Sequence, residues 1–164
     1  MSKFRLSAQQ LDESEPWKQK IVTPRVAVVG VVESPDKKHL LVIKRKYPPL
    51  GYAFPGGLME LGETFKETVE REVFEETGIE AKSIGMLNII SSPDTDPRWH
   101  VVIVHVMMET DSEVDPKGAD DALTASWENI DAKELQPKLI NTCQSTLKDY
   151  KDWKAGKRKL MDLR

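Results

Sequence analysis

Glu72, Glu75 and Glu76 stand at i, i+3 and i+4. On a helix that spacing puts all three carboxylates on one face. Clustered carboxylates suit a hard divalent cation such as Mg²⁺ or Mn²⁺. A cation held there neutralises an anionic substrate and acidifies a water molecule. Without one, the arrangement is unfavourable. Anions near a helix C-terminus oppose the macrodipole by about 0.3–1 kcal/mol each, and like charges at i,i+4 cost a few tenths more. Arg71 can pair with Glu75, but one base does not neutralise three acids. Such a conflict is expected where function overrides local propensity. The plainer alternative is an acidic, solvated helix face.

The element that positions these acids is a helix near Thr64–Thr77. Thr64 followed by Glu67 fits a capping box, and Gly78 is a natural C′ residue. Phe65, Val69 and Val73 form an apolar stripe. Glu72 and Glu76 fall almost in line with Phe65, at the border of the buried side. Phe74 points to the opposite side, where another helix or a subunit would have to meet it. Around this helix the apolar runs predict strands at Val26–Val32, His39–Lys46, Ile84–Ser91, His100–Met108 and Leu123–Trp127. The first two should form a hairpin across Ser34–Asp36. Tyr47–Gly57, rich in Pro and Gly, reads as a loop, as do Ser92–Trp99 and the acidic stretch Asp111–Asp121. Asp131 is expected to cap a short helical turn, and Lys138–Lys154 to form a final helix. Strands mixed with few helices predict an α/β sheet flanked by helices.

Counted from Gly57, five residues precede Glu63 and seven more precede Arg71-Glu72-Val73-Phe74-Glu75-Glu76-Thr77-Gly78-Ile79. This resembles the Nudix box, G-x5-E-x7-R-E-U-x-E-E-x-G-U with U aliphatic, and matches it at every fixed position. Phe54-Pro55-Gly56-Gly57 is similar to the family's proline-glycine lead-in. The resemblance covers about Val26–Ile130. It implies a single-domain α/β/α sandwich around a mixed β-sheet. Residues 1–22, polar and weakly patterned and outside the resemblance, read as an arm or short helix, and 23–164 as the Nudix domain with a C-terminal helix and a basic tail.

The resemblance also implies hydrolysis of a nucleoside diphosphate linked to another moiety, assisted by Mg²⁺ or Mn²⁺. Glu72, Glu75 and Glu76 match the metal-binding glutamates, and the Gly56 carbonyl matches a backbone ligand. Glycine there lets the main chain approach an ion without a Cβ in the way. Arg71 is expected to orient a glutamate, and Glu63 to stand in an outer shell. In related enzymes a carboxylate on a late loop activates the water. The candidates are Glu113, Asp115, Asp120 and Asp121, with the last two favoured because 118–127 is similar to a recurrent family pattern. A glutamate inside the box, Glu75, is the alternative base. The segment Asp96-Pro97-Arg98-Trp99-His100 resembles that of a group of ADP-ribose pyrophosphatases. Arg98 would then meet the diphosphate, and Trp99 the adenine or the terminal sugar. Arg45 and Tyr52, in the segment leading into the box, are further substrate contacts. ADP-ribose is the expected substrate. Other nucleotide sugars and oxidised triphosphates such as 8-oxo-dGTP stay open, as does a noncatalytic nucleotide-sensing domain.

Composition bounds the rest. The 164 residues are 39% hydrophobic and 31% charged, an ordinary globular balance for one domain. No apolar run approaches the roughly 20 residues that cross a bilayer, and Met1–Gln10 has no signal-peptide core. A cytoplasmic protein without a membrane partner is expected. The single cysteine, Cys143, excludes an internal disulfide framework. The net charge is −3, so no global field favours nucleic acid. Residues 148–164 carry seven bases against three acids and read as a solvated face. His100 and His105 read as structural. A homodimer is an open expectation, with Trp17, Phe74 and Trp153 as interface candidates.

Overall fold

The computed structural model describes residues 23–112 and 114–163. The arm expected over 1–22, with Trp17, and the base candidate Glu113 lie outside the described residues. In chain order the elements are β1 (Arg25–Glu33), β2 (His39–Arg45), β3 (Tyr52–Ala53), β4 (Gly56–Leu58), α1 (Phe65–Thr77), β5 (Lys82–Ile90), β6 (Val101–Glu109), β7 (Ala122–Asn129), α2 (Leu135–Lys138) and α3 (Asn141–Lys154). The strands form one mixed sheet in the order β3-β2-β1-β6-β5, with β4 on β1 and β7 on β2. β1 runs parallel to β6 over its whole length, from Arg25↔Val101 to Glu33↔Glu109.

Both faces of this sheet are covered, which explains why β1 and β6 read as nearly continuous apolar runs. Val28 and Val32 of β1 and Val104, Val106 and Met108 of β6 face Val69 and Val73 of α1. Val31, Leu87 and Met107 face Cys143, Leu147 and Tyr150 of α3 on the other side. The result is the expected helix–sheet–helix sandwich. Gly30 lets α1 lie close, because a Cβ there would come within 2.7 Å of a Val73 methyl.

The expected hairpin is present at its tight end, where Glu33 pairs with Leu40. Beyond that point β4 takes the edge of β1 from Ala27 to Val29, and β2 pairs along its length with β7. Thus the segment Tyr47–Gly57, expected as a loop, contributes β3 and opens β4. Two other expectations are corrected. Asp131 does not cap a helix: its N–H is bonded to Asn129 Oδ1, and α2 starts four residues later after Glu134. The final helix starts at Asn141, not Lys138, because Leu139 bridges Tyr52 and Ile140 donates its N–H to Tyr52 O at 2.9 Å.

The C-terminal tail is not simply a solvated face. Lys154 bonds the buried Glu33 carboxylate at 2.7 Å, and Arg158 bonds Asp149 at 2.7 Å. Met161 then exchanges two backbone bonds with Met86 on the outer edge of β5. Leu160 packs into the α3-side core and Leu163 into the α1-side core, so the tail straddles an edge that would otherwise stay unpaired. Trp153, an interface candidate, packs within the chain beside Tyr150.

Docking of α1 rests on the fully buried Val69 and Val73. Val73→Ala should therefore lower stability by about 2 kcal/mol, read from urea unfolding. A loss below a few tenths would mean that α1 is held by something other than its apolar stripe.

Candidate active site

α1 starts and stops as its sequence directs. Thr64 and Glu67 form the reciprocal capping box, and Gly78 ends the helix at φ 71° with its N–H bonded to Phe74 O. This fixes where the last two turns present their acids. Glu76 points at the sheet and is 4% exposed. Its Oε2 accepts from Gly56 N–H at 2.8 Å. Burial pushes its carboxyl up to about 8, opposed by the Gly56 N–H and raised further by the charge of Glu72. Burial also raises Glu72, against the pull of Arg71.

Arg71 organises the remaining acids. Its Nε and Nη2 grip Glu63 at 2.6 and 2.9 Å, while Nη1 donates to Glu72 at 2.9 Å and to Glu75 at 3.1 Å. The Arg71 bonds, with one from Glu60 N–H and another from Thr68, hold the Glu63 carboxyl down at about 2. Glu63 is therefore the anchor of Arg71, and Arg71 is the tether of Glu72 and Glu75. No spare fork of Arg71 faces outward for a substrate.

The lead-in glycines are required by contact. Gly56 has φ 153°, and a Cβ there would lie 2.6 Å from Val29 Cα. A Cβ on Gly57 would lie 2.5 Å from the Glu72 carboxyl carbon. The pairing of Gly56 with Val29 and of Gly57 with Val28 thus brings the main chain directly against Glu72 and Glu76.

The late acidic loop reaches the same place. Lys117 N–H donates to Thr77 O and Ala119 N–H to Glu76 O, both at 3.0 Å. These bonds take up carbonyls left over at the end of α1. They set Asp120, at φ 48°, within the field felt by Glu72, and Asp121 within that felt by Glu76. Arg45 and Arg98 complete the surroundings. Arg45 acts on Glu76 and Asp96, and Asp121 acts on Arg98. Trp99 lies beside Arg98, with the guanidinium carbon 5.0 Å from its ring centroid.

Two expected participants, Tyr52 and Glu75, turn away, and Phe74 and His105 lie outside the cluster. Tyr52 packs against the α3-side core, with Lys138 Nζ 6.0 Å from its ring. Phe74 is 51% exposed and lines an open cavity of about 730 Å³ with Glu70, Lys82, Glu109 and Val114, on a flank that carries none of the three clustered glutamates. His105 is buried on the α3 side, bonded to Asn88 at 2.7 Å and held neutral by burial, as expected of a structural residue. Glu75 is turned outward to Arg71 and half exposed. Among the described residues no three acid, His or Cys side chains already share one coordination point. The donor chemistry nevertheless fits a hard cation: only oxygens, with the buried Glu76 carboxylate and the part-buried Glu72 carboxylate beside glycines that leave room. Glu72, Glu76 and the Gly56 carbonyl are the candidate donors, and Glu75 is held by Arg71 on the neighbouring turn face.

Two comparisons decide the family. The model of the NUDIX domain matches residues 23–150. An ADP-ribose pyrophosphatase of Methanocaldococcus jannaschii is 44% identical over 136 residues, 81% of this chain and 76% of that protein. The chain belongs to the Nudix family. It is a pyrophosphohydrolase of a class that works with a divalent metal ion. Solved structures agree on the fold. A Nudix hydrolase from Nitrosomonas europaea superposes with a TM-score of 0.73 at 18% identity, over 86% of this chain and 77% of that one. A bifunctional NMN adenylyltransferase/ADP ribose pyrophosphatase from Francisella tularensis, solved with AMP and a Mn ion, gives 0.66 at 22% identity, over 85% and 44%.

Three relations were not foreseen from the sequence: the Glu63–Arg71 anchor, the contact of Gly57 with Glu72, and the pairing of Asp96 with Arg98. The last had a readable signal, since Asp two residues before another residue can close an Asx turn onto its N–H.

The raised Glu76 carboxyl has a pH consequence. Its ordinary value is 4.5 and its folded value about 8. Stability associated with the protonated form is therefore complete below about 4.5 and is lost as pH rises through about 8. In chelator, Glu76→Gln should melt progressively higher than the parent from pH 5 to pH 9, by several degrees at the top. A constant gap across that range would show that Glu76 is not desolvated.

Proposed function

We propose that this Nudix hydrolase cleaves the pyrophosphate bond of ADP-ribose, giving AMP and ribose 5-phosphate. The observation that carries the reading is the buried Glu76 beside the part-buried Glu72, seated against Gly56 and Gly57 and within the field of Asp120 and Asp121. The choice of ADP-ribose is supported by the 44% identical relative, which is named an ADP-ribose pyrophosphatase, and by Arg98 and Trp99 on the rim.

Glu72, Glu76, Glu75 and the Gly56 carbonyl would hold the cation, Mg²⁺ or Mn²⁺. When bound, the metal neutralises phosphate charge and lowers the pKa of a water molecule. Arg71 keeps Glu72 and Glu75 oriented through its grip on Glu63. Asp121, or Asp120 beside it, takes the proton of the attacking water; both are placed by the bonds that 117–119 makes to the end of α1. Glu75 is the alternative base. Arg98 and Arg45 supply positive charge for the diphosphate, and Trp99 an aromatic surface for the nucleoside or the sugar.

The deciding assay compares ADP-ribose, ADP-glucose, NADH and 8-oxo-dGTP in Mg²⁺ and in Mn²⁺. AMP should appear fastest from ADP-ribose. Glu76→Gln should reduce kcat by at least about 10²-fold, and one of Asp120→Asn and Asp121→Asn by about 10²–10⁴-fold. Fastest turnover of 8-oxo-dGTP would reassign the substrate. Undiminished turnover by Glu76→Gln would remove the site itself.

A further inference from the structure

The segment between β5 and β6 holds an arginine that is already clamped. Asp96 Oδ1 accepts from Arg98 N–H at 2.8 Å and from Arg98 Nε at 3.0 Å, and Asp96 Oδ2 accepts from Arg98 Nη2 at 2.8 Å. The carboxylate thus spans one whole edge of the guanidinium. The bond to the main-chain N–H closes a turn around Pro97, whose ring fixes φ. The Asp96 side chain is 13% exposed and that of Arg98 40%. Partial burial pushes the Asp96 carboxyl up, but the Arg98 bonds outweigh it and hold the group below its usual range. The far end of the segment is fixed too. Arg25 N–H donates to His100 O at 3.1 Å, and the Arg25 guanidinium carbon lies 4.1 Å from the Trp99 centroid.

Among the described residues the Nη1 edge of Arg98 has no hydrogen-bond partner, and the group senses Asp121 of the acidic cluster. We propose that Asp96 is a positioning residue that grips the Nε–Nη2 edge of Arg98 so that the opposite edge is presented as a fork to the substrate's diphosphate. This rests on the reading of Arg98 as a substrate contact. A free arginine side chain loses rotamer freedom when it binds; a clamped one has lost it on folding. The opposite arrangement, in which the Asp96 carboxylate occupies the fork as a competitor of phosphate, is disfavoured. The main-chain bond keeps Asp96 in place whether or not phosphate arrives, and a guanidinium has two edges for two oxyanions. The two arrangements predict opposite signs.

The test uses the full chain and the substrate turned over fastest in the panel above. KM and kcat are measured for the parent, Arg98→Ala, Asp96→Asn and the double variant, with thermal midpoints as a check on folding. Asn keeps an acceptor for the turn but loses the charged grip; Asp96→Ser serves the same purpose should the Asn variant not fold. Arg98→Ala should raise KM about tenfold or more. Asp96→Asn should raise KM several-fold with kcat within about twofold, and the double variant should be no worse than Arg98→Ala alone. A lower KM for Asp96→Asn overturns the proposal in favour of competition. An unchanged KM, or a penalty that adds fully to that of Arg98→Ala, reduces Asp96 to a loop-folding role. If Arg98→Ala leaves KM unchanged, the substrate-contact reading of Arg98 falls first and takes the proposal with it.

Discussion

The site depends on keeping a carboxylate where water cannot reach it. Glu76 lies at the negative end of α1, beside the like charge of Glu72, almost wholly buried. Each of these conditions opposes ionisation. In return, among the described residues, one main-chain N–H, that of Gly56, is offered to it. A packed core of similar volume would be more stable there. The pair is therefore a strained feature maintained by its surroundings, and those surroundings account for much of the architecture near α1.

The maintenance is distributed over elements far apart in the chain. The β1–β4 pairing brings two glycines against the carboxylates, and α1 is pressed onto β1 by Val69 and Val73 across Gly30. Arg71 and Glu63 form a brace on the solvent side, so Glu72 and Glu75 cannot swing freely. The loop 117–119 uses the leftover carbonyls of α1 as its anchor, so the element that ends the helix also delivers two further acids. The face toward α3 takes no part in this. It carries the larger aromatic and aliphatic core, the buried Glu33 carboxylate paired with the exposed Lys154, and the tail that covers the edge of β5. One sheet thus supports a rigid face and a strained one.

The parts legible in the sequence were those governed by local chemistry. The capping box, the C-terminal glycine and the apolar stripe located α1 to within a residue, and the runs of β-branched residues located β1, β2 and β6. Fixed spacing revealed the acids and their family. The parts not legible were those set by tertiary pairing. β3 and β4 are two and three residues long and have no periodicity of their own; they exist because β2 and β1 offer them edges. The late start of α3 follows from a bridge between Leu139 and Tyr52, 87 positions apart in the numbering and invisible to any window. Tyr52 looked available to a nucleobase because it adjoined the box, yet that same bridge draws it toward the α3-side core. Charge alone suggested that the tail was solvated, whereas Leu160 and Leu163 decide its course.

The charge layout also bears on what the end of α1 can accept. Glu72, Glu76, Asp120 and Asp121 present a negative field to any approaching phosphate, while Arg45 and Arg98 stand at its border. A phosphate without a cation meets net repulsion at the acids. A cation without a phosphate leaves the arginines unused, except that Asp96 already satisfies one edge of Arg98. A species that brings a cation and phosphate charge together is better matched to this layout than either alone. The segment that carries Trp99 is itself fixed from β1 by Arg25 and from its own turn by Asp96.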